Sequence, residues 1–322
     1  MDELQQPGYR QNEHSRGGDL AVEAQPPESQ VLTDRLSISP ILYGIIALLV
    51  TLVLYQFIGG VITFVLVGAD VTDENVDRMR VATMVGHLLL LLVPTFILLK
   101  VQTSRVREFI RWKRPSGREV FFVLVSVFAL QQILQAYMYL QEQIPLPESV
   151  EPFLKQFREF IEATYKTLVM ADSLPELLFV VVVVAIVPAV TEEILFRGLV
   201  QRNFELGFKG IWGVVVAGAV FGVYHFNPFS LVPLAVLGVF FGYVVYRSGS
   251  IVNAILGHFF NNFLAILAIF YGVDEELLVQ DGSAGEVDIQ TFLINVVLFG
   301  GLFLGSTFGF VKSTALRQRS FP

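Results

Sequence analysis

Long apolar blocks alternate with short polar connectors along most of the chain, after an extended polar start. Residues 1–37 carry seven acidic and three basic side chains, scattered Pro, Gly, Gln and Ser, and no sustained apolar periodicity. This segment reads as a disordered tail. It is too polar and too long for a signal peptide, and the apolar run after it exceeds an h-region. Eight apolar blocks follow, at 39–67, 81–99, 120–140, 174–201, 210–226, 229–246, 251–271 and 289–311. Most approach or exceed the roughly 20 residues that cross about 30 Å of hydrocarbon as a helix. The fifth and sixth are short and are separated by Asn227-Pro228, which predicts a tight turn or a re-entrant break. The expected fold is all-α: one polytopic domain over 38–311 with about eight transmembrane helices, then a short basic tail over 312–322. Connector 141–176 contains apolar residues near helical spacing, which predicts an amphipathic helix on the membrane face or a connecting helix packed on the bundle.

Composition strengthens the membrane reading. Of 322 residues, 54% are apolar and only 16% charged, against about 25% charged in an average soluble domain. There are no cysteines, which excludes a disulfide scaffold and a cysteine nucleophile. The net charge of −7 calls for no acidic-domain function, because the tail supplies −4 of it.

The distribution of charge predicts the topology. Connector 100–119 holds seven basic residues against two acidic, whereas 68–80 holds four acidic and two basic, 141–176 seven acidic and three basic, and 272–288 six acidic and none basic. The positive-inside rule then puts both termini in the cytoplasm. The basic patch at 100–118 is expected against anionic lipid headgroups. It is short and adjoins a span, so no nucleic-acid partner is expected.

All acidic residues but two fall in tails, connectors or segment edges. The exceptions are Glu192 and Glu193, inside AIVPAVTEEILFRGLV. With the helix running to about Arg202, Glu192 lies roughly 15 Å from its cytoplasmic end. A carboxylate at that depth is a functional-site hypothesis by default. His225, in AVFGVYHF, and His258, in AILGHFFNNF, fall at overlapping depths. Glu193 and Arg197 are four apart and can pair, with Glu192 turned about 100° away. His258 and Asn262 share a helix face in the same way, as do Phe221 and His225. A carboxylate, two imidazoles and an amide can activate water and stabilise an oxyanion. Glu and two His can also hold a metal, and spacing alone leaves that open. His87, in a leucine run outside these patterns, reads as a packing or interfacial histidine. Gly238/Gly242 and Gly301/Gly305/Gly309 recur every four residues and read as close helix packing.

The three patterns Glu192-Glu193-x-x-x-Arg197, Phe221-x-x-x-His225 and His258-x-x-x-Asn262 resemble the signature of the CAAX protease and bacteriocin-processing family of intramembrane endopeptidases. The resemblance covers about 174–271. It implies that Glu192, assisted by His225, activates the attacking water. His258 and Asn262 would then form the oxyanion hole, with Glu193, Arg197 and Phe221 in support. It implies a membrane-tethered peptide or protein as substrate, while the absence of Cys and the compact connectors read as those of a multi-pass protein of a bacterial cell membrane. No cofactor is required, with a divalent metal such as zinc as the alternative. Oligomeric state is not readable. A secondary transporter and a non-catalytic membrane scaffold are the competing classes.

Overall fold

The computed structural model describes residues 38–69, 71–145, 147–272 and 289–320. The expected tail at 1–37 and nearly all of the acidic loop 272–288 lie outside the described residues. Every regular element among those described is helical.

Helix α1 runs Pro40–Val67 and α2 Val76–Gln102. Helix α3 is Gly117–Glu142 and α4 Glu151–Val169. Helix α5 covers Leu174–Gly207. Then come α6 (Trp212–Tyr224), α7 (Leu231–Ser248), α8 (Ile251–Phe270) and α9 (Ile289–Ser320). Their starts are written in local chemistry. Ser39, Ser116 and Ser173 each turn a hydroxyl onto a free N–H of the first turn, with Pro40 and Pro175 placed where a missing N–H costs nothing. Gly68 and Gly249 end α1 and α7 at positive φ.

Among the described residues, seven helices are long and apolar enough to cross a membrane: α1, α2, α3, α5, α7, α8 and the Phe292–Ala315 part of α9. The expectation of about eight is thereby corrected to seven. The fifth block gives only the 13 residues of α6, about 20 Å of helix, which falls short of the hydrocarbon thickness. Its end has a physical cause. Phe226 takes a positive φ of 51°, Pro228 offers no N–H, and Asn227 Oδ1 accepts from the backbone N–H groups of Phe229 and Ser230 at 3.1 and 3.3 Å. The last helix continues to Ser320, past the expected boundary at 311.

Helix α5 is the axis of the bundle. Every residue from Ile194 to Val200 is buried. One apolar cluster joins this stretch to α1, α2 and α6, and a second joins α3, α7, α8 and α9. A third links the start of α5 to α8 and the end of α4. Outward faces carry exposed apolar side chains, such as Phe57, Val61, Phe64 and Val65 on α1, as lipid contact requires. Helix α4 is amphipathic, with Phe153 and Phe160 exposed, and it is held to the bundle by Arg158 over the Phe229 ring. Near it, buried Arg80 ties α2 to α5 through Glu176 at 2.7 Å, and it donates to the carbonyls of Leu168 and Met170.

Helices α6 and α7 cross on glycine. A Cβ at Gly238 would lie 2.7 Å from the Gly218 carbonyl oxygen and 2.9 Å from its Cα. Alanine at Gly238 is therefore expected to lower stability by about 1–3 kcal/mol, read as earlier thermal unfolding in detergent. Of the later glycines, only Gly309 is in close contact, against Phe122. Gly301 and Gly305 meet nothing within 4 Å, which corrects the close-packing expectation for them. Alanine at Gly301 should leave unfolding unchanged or later, since alanine is the better helix former.

Candidate active site

The acidic pair sits where α5 is least regular. Turns of π-helix at Val181–Ile186 and Ile194–Val200 bracket the α-helical stretch Val187–Glu193. Such turns recur at functional sites because they re-aim side chains without ending the helix. Glu192 and Glu193 consequently face two different sets of partners.

Glu193 is fully buried. Its Oε1 accepts from Nδ1 of His258 at 2.9 Å. Its Oε2 lies 3.1 Å from Nε of Arg197, although neither atom completes an aligned hydrogen bond. The contact is one of charge rather than direction. Arg197, equally buried, donates from Nη2 to the Gly238 carbonyl at 3.2 Å. Its guanidinium lies 4.6 Å from the Phe221 ring centre, with Phe196 and Phe241 also within reach. The same Phe221 ring meets His225 edge-on at 4.6 Å and His258 at 6.0 Å, and Phe241 stacks on His258. Phe221 thus joins both histidines to the arginine.

Glu192 points the other way, as the 100° turn between neighbours requires. Its Oε2 lies 3.7 Å from Nε2 of His225. The His225 ring is set by Nδ1, which donates to the Phe221 carbonyl at 2.7 Å. Helix α6 ends one residue earlier, at Tyr224. Because that helix is short, His225 reaches Glu192 from a helix end within the bundle rather than from a loop at the surface. On the other side, Oε1 of Glu192 lies 3.4 Å from Nε2 of His87, on α2. Oε2 is buried and accepts no hydrogen bond.

The structure therefore brings Glu192, Glu193, Arg197, Phe221, His225 and His258 into one connected group. Asn262 is one helical turn beyond His258 on α8, but its Nδ2 donates to the Val184 carbonyl at 3.1 Å. Its Oδ1 accepts from Asn261 at 3.2 Å. Sequence reasoning missed His87 and its neighbour Tyr55, whose hydroxyl lies 2.9 Å from His87 Nδ1. The available signal was the rarity of any histidine inside a span.

Among the described residues, no group of three or more His, Cys, Asp or Glu side chains is arranged to hold an ion. The site does not fit the zinc alternative.

No curated protein and no solved structure is matched by this chain. The family model described as Type II CAAX prenyl endopeptidase Rce1-like matches residues 174–264. That segment carries both glutamates, both motif histidines and Asn262. Over that segment the chain matches the Rce1-like CAAX protease family, and its spans and buried Glu/His pairs are those of a multi-pass membrane peptidase.

Proposed function

We propose that the protein is an intramembrane endopeptidase that hydrolyses membrane-tethered peptides or proteins with a water activated by Glu192. The observation that carries this reading is the free Oε2 of Glu192. It is buried, accepts no hydrogen bond, and faces His225 Nε2 across 3.7 Å. A carboxylate oxygen with a vacant lone pair beside an imidazole is the arrangement that takes a proton from water and passes it on. Glu192 is the base, and His225 orients the water and relays its proton toward the leaving amine. His258, whose Nδ1–H goes to Glu193, would donate an Nε2–H to the developing oxyanion as the imidazolium paired with that carboxylate, and Asn262 adds an amide donor beside it. Its present bond to Val184 uses one of its two N–H hydrogens. Arg197 and Phe221 hold the two histidines in register.

The charge distribution supports a topology with both termini and the basic connector 100–119 in the cytoplasm. The family's description supports a prenylated C-terminal peptide as one substrate class, and an acyl-tethered peptide is the alternative in a bacterial membrane. The test is cleavage of farnesylated Cys-a-a-X peptides and acyl-tethered peptides in liposomes by the purified protein, with products identified by mass. Cleavage by wild type but not by Glu192→Gln supports the reading, and equal cleavage by both sinks it.

A further inference from the structure

The two oxygens of Glu192 are not equivalent, and the cause lies outside the segment shared with the family. His87 is buried and comes from α2, 105 residues away in sequence. Its Nδ1 lies 3.0 Å from the Thr83 carbonyl oxygen. The Tyr55 hydroxyl lies closer to Nδ1, at 2.9 Å, and donates to it when the ring hydrogen sits on Nε2. In that tautomer the Nε2–H faces Glu192 Oε1 at 3.4 Å and is given to it. The ring is braced by Tyr55 of α1, edge-on at 4.6 Å between centroids, with its hydroxyl 2.9 Å from Nδ1 and 3.2 Å from Nε2. Its position on the α1 backbone is fixed in turn. The adjoining Gln56 donates to the Tyr224 carbonyl at 3.0 Å, immediately before His225. Helices α1 and α2 are thus fastened to both Glu192 and the end of α6.

We infer that His87, backed by Tyr55, is a positioning residue that occupies Oε1 of Glu192 and so assigns Oε2 as the oxygen that receives the proton of water. This rests on the reading of Glu192 as the base. Without His87 the carboxylate can rotate about its last torsion, and either oxygen can turn away from His225. The pairing also explains a histidine in an apolar run where a packing role needs only leucine. His87 need not touch substrate, so its loss falls on the rate of the chemical step and not on binding.

Four variants decide the matter in liposomes, with the membrane-tethered peptides described above as probes. His87→Leu is expected to lower kcat about 30- to 100-fold with KM within about threefold, the range for a misplaced reacting group. His87→Gln, whose amide N–H reaches Oε1, is expected to recover kcat to within about fivefold of wild type, while His87→Asn, one methylene too short, is not. Tyr55→Phe is expected to lose about three- to tenfold in kcat by loosening the ring. Where His87→Leu fails to fold, the Gln/Asn pair carries the comparison, since both keep a polar amide. A kcat for His87→Leu near wild type, or equal losses in the Gln and Asn variants, overturns the inference. If Glu192→Gln is inactive while His87→Leu is intact, this inference alone falls. If Glu192→Gln retains full activity, the reading of Glu192 falls and takes this one with it.

Discussion

Glu192→Gln is expected to lower kcat about 10²- to 10⁴-fold, the range for losing a general base, while KM changes little. Glutamine is nearly isosteric, so the interior around α5 keeps its volume. Its carbonyl oxygen and amide can still meet His87 and His225, which lie 3.4 and 3.7 Å from the carboxylate. What disappears is the capacity to accept a proton, because an amide oxygen is far less basic than a carboxylate. A fold preserved by melting temperature together with a lost rate separates chemistry from structure. Turnover within threefold of wild type would remove Glu192 from the reaction. Alanine at the same position is a poorer test, since it also opens a cavity beside buried Thr191 and Glu193.

Much of this site is legible in sequence for one reason: its parts repeat at helical spacing within single helices. Glu193 and Arg197 do meet, as four-residue spacing requires, and the turn between Glu192 and Glu193 does send them to different partners. Which histidine meets which glutamate is set by how α5, α6 and α8 pack, and spacing cannot report it. His258 goes to Glu193, and His225 goes to Glu192. The role of His87 is harder to read, although its place inside a span is a signal. It has no motif partner on α2, and it is flanked by Gly86 and a run of leucines. Only the crossing of α2 with α5 gives it a role. The fold shows the same division. The Asn227-Pro228 break is visible in the sequence, but its consequence is not. It leaves α6 too short to span and so places His225 at a helix end inside the bundle. The π-helical turns around Val187–Glu193 also escape a 3.6-residue reading, because each widened turn shifts the faces that follow it.

Arg197→Met is expected to destabilise the protein by about 3–5 kcal/mol, the cost of leaving one member of a buried ion pair without its partner. Methionine fills most of the volume among Phe196, Phe221 and Phe241, so the loss is chiefly electrostatic. Glu193 would keep only His258, at 2.9 Å. Glu193→Gln alone strands the arginine instead, with Nε and Nη1 already lacking aligned acceptors. The double variant removes both charges, and its loss of stability should be smaller than the sum of the two single losses by about 1–3 kcal/mol. Denaturation in detergent, followed by helical circular dichroism, measures all four proteins of the cycle. Activity is expected to diverge from stability. The double variant recovers its fold but stays slow, because glutamine holds His258 without the charge that the proposed oxyanion step uses. Strictly additive losses would mean that Arg197 and Glu193 do not act as a pair. A double variant with wild-type turnover would mean that their charge holds α5 in place and contributes nothing to the reaction.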